Sequence, residues 1–160
     1  MVREYELRNS KQQVIRLVTK RVLSRDRIYC NNSNEIVNFF RERYRPEAWT
    51  AERMYCLALT SASEVIGVME VSRGDVVSTI ASPYIVFQFV LLCNTPSVIL
   101  LHNHPSGRCN PSKNDLVSAE TMQRAGDLFN VMVLDNIILG DTNYWSSSQG
   151  GILMYEEETV

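Results

Sequence analysis

Apolar positions change their period several times along the chain, and each change predicts a new element. Met54–Leu59, Val65–Val71, Val98–Leu101 and Val131–Leu139 are runs of β-branched and aliphatic residues bounded by polar turn residues, the mark of buried strands. Ser61–Glu64 is a turn between the first two, and Gly74 leads into a further strand signal over Asp75–Ile80. Residues 26–30 and Tyr144–Ser148 read as shorter extended segments, the second after a turn at Gly140–Asn143. Helical spacing appears elsewhere. Ser10 and Gln13 form a capping box ahead of a predicted helix to about Leu23, with Val14, Ile15, Val18 and Val22 on one side. Asn34 caps a second helix carrying Ile36, Val37, Phe39 and Phe40, closed before Pro46. Ser82-Pro83 opens a third by the N-cap and proline-at-N1 rule. That helix, to Cys93, is apolar almost all round, which suits an element sandwiched in the core or covering a partner such as a second copy of the chain. Leu116, Ala119, Met122 and Phe129 mark a fourth. Strands mixed with helices in this way predict a layered α/β sandwich with a mixed sheet.

At 160 residues and 45% hydrophobic content the chain can bury a two- or three-layer core. The N-terminus is charged and has no apolar core of a secretory signal, and the longest apolar run, Tyr84 to Cys93, is too short to span a bilayer. Cys30, Cys56, Cys93 and Cys109 are widely spaced with no CxxC, which fits reduced thiols and a cytoplasmic location. The net charge of −2 hides an asymmetry. Residues 1–45 hold eleven Lys+Arg against five Asp+Glu, whereas residues 46–160 hold five against thirteen. The basic N-terminal segment could face nucleic acid or an acidic partner, although a solvated face on ordinary elements explains it as well.

The chemistry concentrates in residues 97–115. The strand signal at Val98–Leu101 runs into His102 and His104, which in extended geometry leave the same face. They are the only two histidines in the chain. Pro105, Ser106 and Gly107 bend the chain away, and Ser112 opens the fourth helix with Asp115 in its first turn. Two histidines two residues apart can chelate one ion, and a catalytic zinc takes three protein ligands with one open position, so Asp115 is the natural third. Ser112 and Asp115 also suit plain helix capping, and the two roles are compatible. Cys109, in the loop between His104 and Asp115, reads as a loop thiol. Hydrolysis needs a base from another segment. Glu52, just ahead of the Met54–Leu59 strand, is a candidate, but periodicity does not choose it over Glu64 or Glu70. The string His-Asn-His does not fit an HNH nuclease, which spreads its residues over a ββα hairpin, and neither H-x-E with P-C-x-x-C nor H-E-x-x-H occurs.

His102-Asn-His-Pro-Ser-Gly-x-x-x-Pro-Ser112-x-x-Asp115 resembles the JAMM motif of the JAB/MPN zinc metalloprotease superfamily, in its RadC-family form. Glu52-Arg-Met-x-x-Leu-x-Leu resembles that family's Glu-led first core strand. The likeness continues through Val65–Gly74, Ser82–Cys93 and Leu134–Asp141, so it covers residues 24–150. It implies an α/β/α sandwich with a mixed, mostly antiparallel sheet, of cytidine-deaminase-like architecture. Residues 1–23 would then be a basic helical segment and residues 151–160 an acidic tail. It implies Zn2+ held by His102, His104 and Asp115, with Glu52 the general base that activates the zinc water. Ser112 would be a donor to the oxyanion, and the substrate a protein or peptide. One departure is Asp135-Asn136, where relatives commonly have Asp-His. Relatives also usually carry an N-terminal helix-hairpin-helix, whereas residues 1–23 hold no Gly-centred hairpin. Three functions follow: a zinc peptidase or isopeptidase, a metal-dependent nuclease or DNA-repair factor, and a silent binding module. The intact residue set argues against the last.

Overall fold

The computed structural model describes residues 1–9, 15–74 and 82–155. In chain order these form β1 (Val2–Asn9), β2 (Ile15–Ser24), β3 (Ile28–Tyr29), α1 (Ser33–Tyr44), β4 (Glu52–Leu59), β5 (Glu64–Gly74), α2 (Pro83–Cys93), β6 (Ser97–Asn103), α3 (Lys113–Phe129), β7 (Met132–Leu139), β8 (Asn143–Ser146) and β9 (Gly151–Met154). The strands share one sheet in the order β2-β1-β5-β4-β6-β7-β8-β9, with β3 also on β5. Only β1–β5 and β6–β7 pair parallel among the described strands, so the sheet is mixed and mostly antiparallel.

The two most apolar strands lie at the middle because both of their faces are covered. Every residue of β6 is buried, as are the last six of β4. Alternate side chains serve two cores. Tyr55, Leu57, Leu59, Ile99 and Leu101 pack with Ile36, Val37, Phe39 and Phe40 of α1. Met54, Cys56, Ala58, Val98 and Leu100 pack with Val86, Phe87, Phe89 and Val90 of α2 and Met122 of α3. The result is the expected three-layer α/β/α arrangement. α2 fulfils its sequence bounds, but it is not enclosed on every side. Tyr84, Leu91 and Leu92 remain exposed while its other face is buried. At the β1–β5 junction Gly67 is required by packing, since a Cβ there would stand 2.8 Å from the Tyr5 ring and 3.2 Å from Phe89.

The first segment departs from expectation. The predicted helix from Ser10 to Leu23 is a strand over Ile15–Ser24, hairpin-paired to β1, and Ser10, Gln13 and Val14 lie outside the described residues. Ile15, Val18, Thr19 and Val22 are β-branched, and cross-strand pairing outweighs their weak helical spacing. Residues 1–23 are therefore no helical appendage, because β1 joins the main sheet through β5. Nor do residues 151–160 form only a tail, because Gly151–Met154 pairs with β8 as the last strand. Asn32, two residues before the expected Asn34, caps α1 by accepting the Glu35 N–H at 2.9 Å. The strand expected at Asp75–Ile80 lies outside the described residues.

Basic residues of the first segment are partly used within the fold. The Glu4 carboxylate, 2% exposed, accepts from Lys20 Nζ at 2.8 Å, Arg21 Nε at 2.7 Å and Tyr44 Oη at 2.8 Å, tying β1, β2 and α1 together. Burial pushes its carboxyl up, but these three donors together hold it below the ordinary glutamate value. A lowered folded-state value stabilises above the unfolded value and loses that contribution as pH falls through the folded one. Glu4→Gln is expected to cost roughly 1–3 kcal/mol at pH 7, with the gap to wild type closing below about pH 4.3. Urea denaturation of both proteins at several pH values checks this, and a gap that does not depend on pH contradicts it.

Candidate metal centre

β6 lies between β4 and β7 and ends at Asn103, so it carries His102 to the edge of the sheet and hands His104 to the loop beyond. His102 is opposite Met54 of β4 and Ile138 of β7, on the face covered by α3. The loop after His104 folds back onto the β7–β8 turn: Asp141 N–H donates to Gly107 C=O at 3.0 Å, and Cys109 Sγ donates to Asn143 Oδ1 at 3.1 Å. This return needs two glycines. A Cβ on Gly140 would stand 2.7 Å from the Gly107 carbonyl, and Gly107 itself has φ +73°. The loop then enters α3 through a reciprocal capping box. Ser112 Oγ accepts the Asp115 N–H at 3.2 Å, and the Asp115 carboxylate accepts the Ser112 N–H at 2.6 Å.

The three side chains converge. His102 Nε2 is 3.2 Å from His104 Nε2 and 3.3 Å from Asp115 Oδ1, and His104 Nε2 is 3.4 Å from Asp115 Oδ2. Among the described residues this is the group of three whose ligand atoms lie close enough, within 4.8 Å, to hold one metal ion. Donors about 2.0–2.1 Å from a tetrahedral zinc stand about 3.3 Å from one another. The chemistry of the set agrees. His104 Nδ1 lies 2.9 Å from the Arg108 carbonyl, which can only accept, so Nδ1 carries a proton. In neutral His104 the Nε2 lone pair therefore points at the carboxylate, an arrangement that calls for a cation between them.

The hydrogen bond to Asp115 raises His104 above the ordinary imidazole value, against burial, with help from the Arg108 carbonyl and the Glu52 charge. Burial pushes the Asp115 carboxyl up, but His102, His104 and Ser112 hold it far below the usual carboxylate range. Asp115 is thus a carboxylate at any working pH, and a proton on His104 competes with a metal as pH falls.

Glu52 opens β4, and its charge is felt at His104. The antiparallel ladder ends at the Met54–His102 pair, and Glu52 lies two residues beyond it on β4, opposite Gly74 of β5. The rival carboxylates are committed elsewhere. Glu70 accepts from Tyr55 Oη at 2.6 Å and from Arg73, and Glu64 faces Arg27 at the far end of β5. Cys109 stays outside the donor set, its thiol buried and pushed up by that burial.

Two residues escaped the sequence reading. Asn103, between the two histidines, is buried and bonds to the segment carrying Glu52. Asp135 is buried and accepts from the Ser146, Ser147 and Ser148 hydroxyls and the Ser148 N–H, fastening β7 to β8. Asn136, beside it, is two residues along β7 from Ile138, the neighbour of His102.

An α/β/α sandwich that brings two imidazoles from a strand end to a carboxylate in a helix cap is the arrangement of the JAB/MPN superfamily. The model of the RadC-like JAB domain matches residues 30–152, and the chain belongs to that family. It is 36% identical over 114 residues to a UPF0758 protein of Syntrophotalea carbinolica, covering 71% of this chain and 49% of the relative. A UPF0758 protein of Flavobacterium johnsoniae is 35% identical over 101 residues, covering 63% of this chain and 44% of the relative. One from Desulfitobacterium hafniense is 33% identical over 102 residues, covering 64% and 45%. The chain spans about half the length of the curated relatives it matches. No helix among the described residues is long and apolar enough to cross a membrane.

Proposed function

We propose that the chain is a zinc-dependent hydrolase of peptide or isopeptide bonds, with a protein or peptide as substrate. The observation that carries this reading is the convergence of His102, His104 and Asp115 on one point, with the charge of Glu52 felt at His104 from the neighbouring strand. The three would hold the ion, which when bound polarises a carbonyl and acidifies water. Glu52 takes the proton of the attacking water and returns it to the leaving amine. Ser112 serves the developing oxyanion. Its Oγ already accepts the Asp115 N–H, and a hydroxyl that accepts there still has its own proton to donate. Phosphodiester cleavage often uses two ions about 3.5–4 Å apart, and the single three-donor group among the described residues suits amide chemistry better.

The test uses the zinc-loaded protein on three substrates: internally quenched peptides, an ε-linked lysine isopeptide and supercoiled plasmid. Amide hydrolysis is expected, lost with 1,10-phenanthroline and restored by zinc. Plasmid nicking without amide hydrolysis, abolished by the same chelator, would give the site to phosphodiester chemistry instead.

A further inference from the structure

The backbone ladder between β4 and β6 ends at the Met54–His102 pair. One residue further, the side chain of Asn103 continues it. Its Oδ1 accepts the Arg53 N–H at 2.9 Å, and its Nδ2 donates to the Ala51 carbonyl at 3.2 Å. Those two groups belong to the peptide planes on either side of the Glu52 Cα. Holding both in one amide closes a ring around that Cα and fixes the two backbone dihedrals of Glu52. The other edge of Glu52 faces Gly74 of β5, which has no side chain to pack against it.

We propose that Asn103 is a positioning residue for Glu52, locking the carboxylate's backbone to the strand that carries both histidines. The base and two of the metal-binding side chains then move as one body, because Asn103 is itself the residue between His102 and His104. Catalytic groups need placement to within about 0.5 Å, and a shift of about 1 Å can cost about 100-fold in rate. A side-chain amide suits the task, since it supplies one donor and one acceptor in a single plane. The role assigned to Glu52 rests on the hydrolase reading, whereas the clamp itself does not.

Asn103→Ala is expected to keep its zinc, to lower kcat about 10- to 100-fold with KM within about twofold, and to speed amide exchange at Arg53 at least about tenfold. In the cobalt-substituted protein the paramagnetic shift of the Glu52 side chain should change while those of His102 and His104 stay put. Because Asn103 acts through Glu52, Asn103→Ala/Glu52→Gln should be no slower than Glu52→Gln alone. A role in stability alone would leave the two losses additive, and that result would overturn the proposal. Loss of zinc in Asn103→Ala would overturn it too, by showing that Asn103 serves the ligands. Should the alanine variant not fold, Asn103→Asp, which keeps the acceptor for Arg53 and loses the donor to Ala51, carries the same readouts. If the wild type hydrolyses no amide, the hydrolase reading fails, while Arg53 exchange and the cobalt shifts still decide the clamp.

Discussion

Glu52→Gln should keep about one zinc per chain and lose roughly 1,000-fold in kcat, within the range that a positioned general base contributes. The glutamine is nearly isosteric, so β4 keeps its pairing with Gly74 and its register against β6. What disappears is the carboxylate whose charge is felt at His104. Zinc content by atomic emission and hydrolysis of the quenched peptide, measured on the same sample, separate the possible outcomes. Metal retained with activity gone assigns Glu52 to proton transfer. Metal lost would make Glu52 a ligand and leave the proposed division of roles without a base. The charge of Glu52 also helps raise His104 in the metal-free protein.

The convergence of His102, His104 and Asp115 could be read from sequence because it is built locally. A buried strand running into His102 and His104, a bend, and a capping box at Ser112 and Asp115 all lie within one stretch of chain, and each has its own residue signature. The proposed base was less legible. Glu52, Glu64 and Glu70 carry equivalent patterns, and only the β4–β6 pairing, between residues some 50 positions apart, ties the Glu52 segment to the strand of the histidines. Asn103 was hidden for the same reason. An asparagine between two histidines looks like a spacer until the opposing strand places a carbonyl and an N–H across from its amide.

The first segment failed differently. Its spacing admits both periods, and β-branched content should have weighed more than a Ser-x-x-Gln start. The choice was settled by Glu4, a carboxylate whose burial requires Lys20 and Arg21 on an adjacent strand. The last strand, Gly151–Met154, opens on the second of two adjacent glycines and has four residues in all, too short for alternation to register. In both cases the deciding interaction crosses between strands, where one-dimensional patterns carry least.

His102→Ala/His104→Ala should bring zinc from about one per chain to less than about a tenth after dialysis at pH 7.5, because one carboxylate cannot replace a three-donor set. The fold should survive. His102 is buried, yet its neighbours Leu100 and Leu101 keep β6 within both cores. Removing the imidazoles also removes two of the groups that hold the Asp115 carboxyl down, leaving Ser112 as its remaining partner. Asp115 should then titrate closer to the ordinary carboxylate range, and the α3 cap should weaken with acid where the wild-type cap does not. The sign follows from the lowered value: stability is present above the unfolded carboxyl value and lost as pH falls through the folded one, which the double variant raises. Helix content at pH 4, followed by circular dichroism against pH 7, reads this directly. Zinc retained in the double variant would place the ion elsewhere and remove the basis for the hydrolase reading. Zinc lost with an unchanged acid response would keep the site but show that the imidazoles do little for Asp115 without the metal.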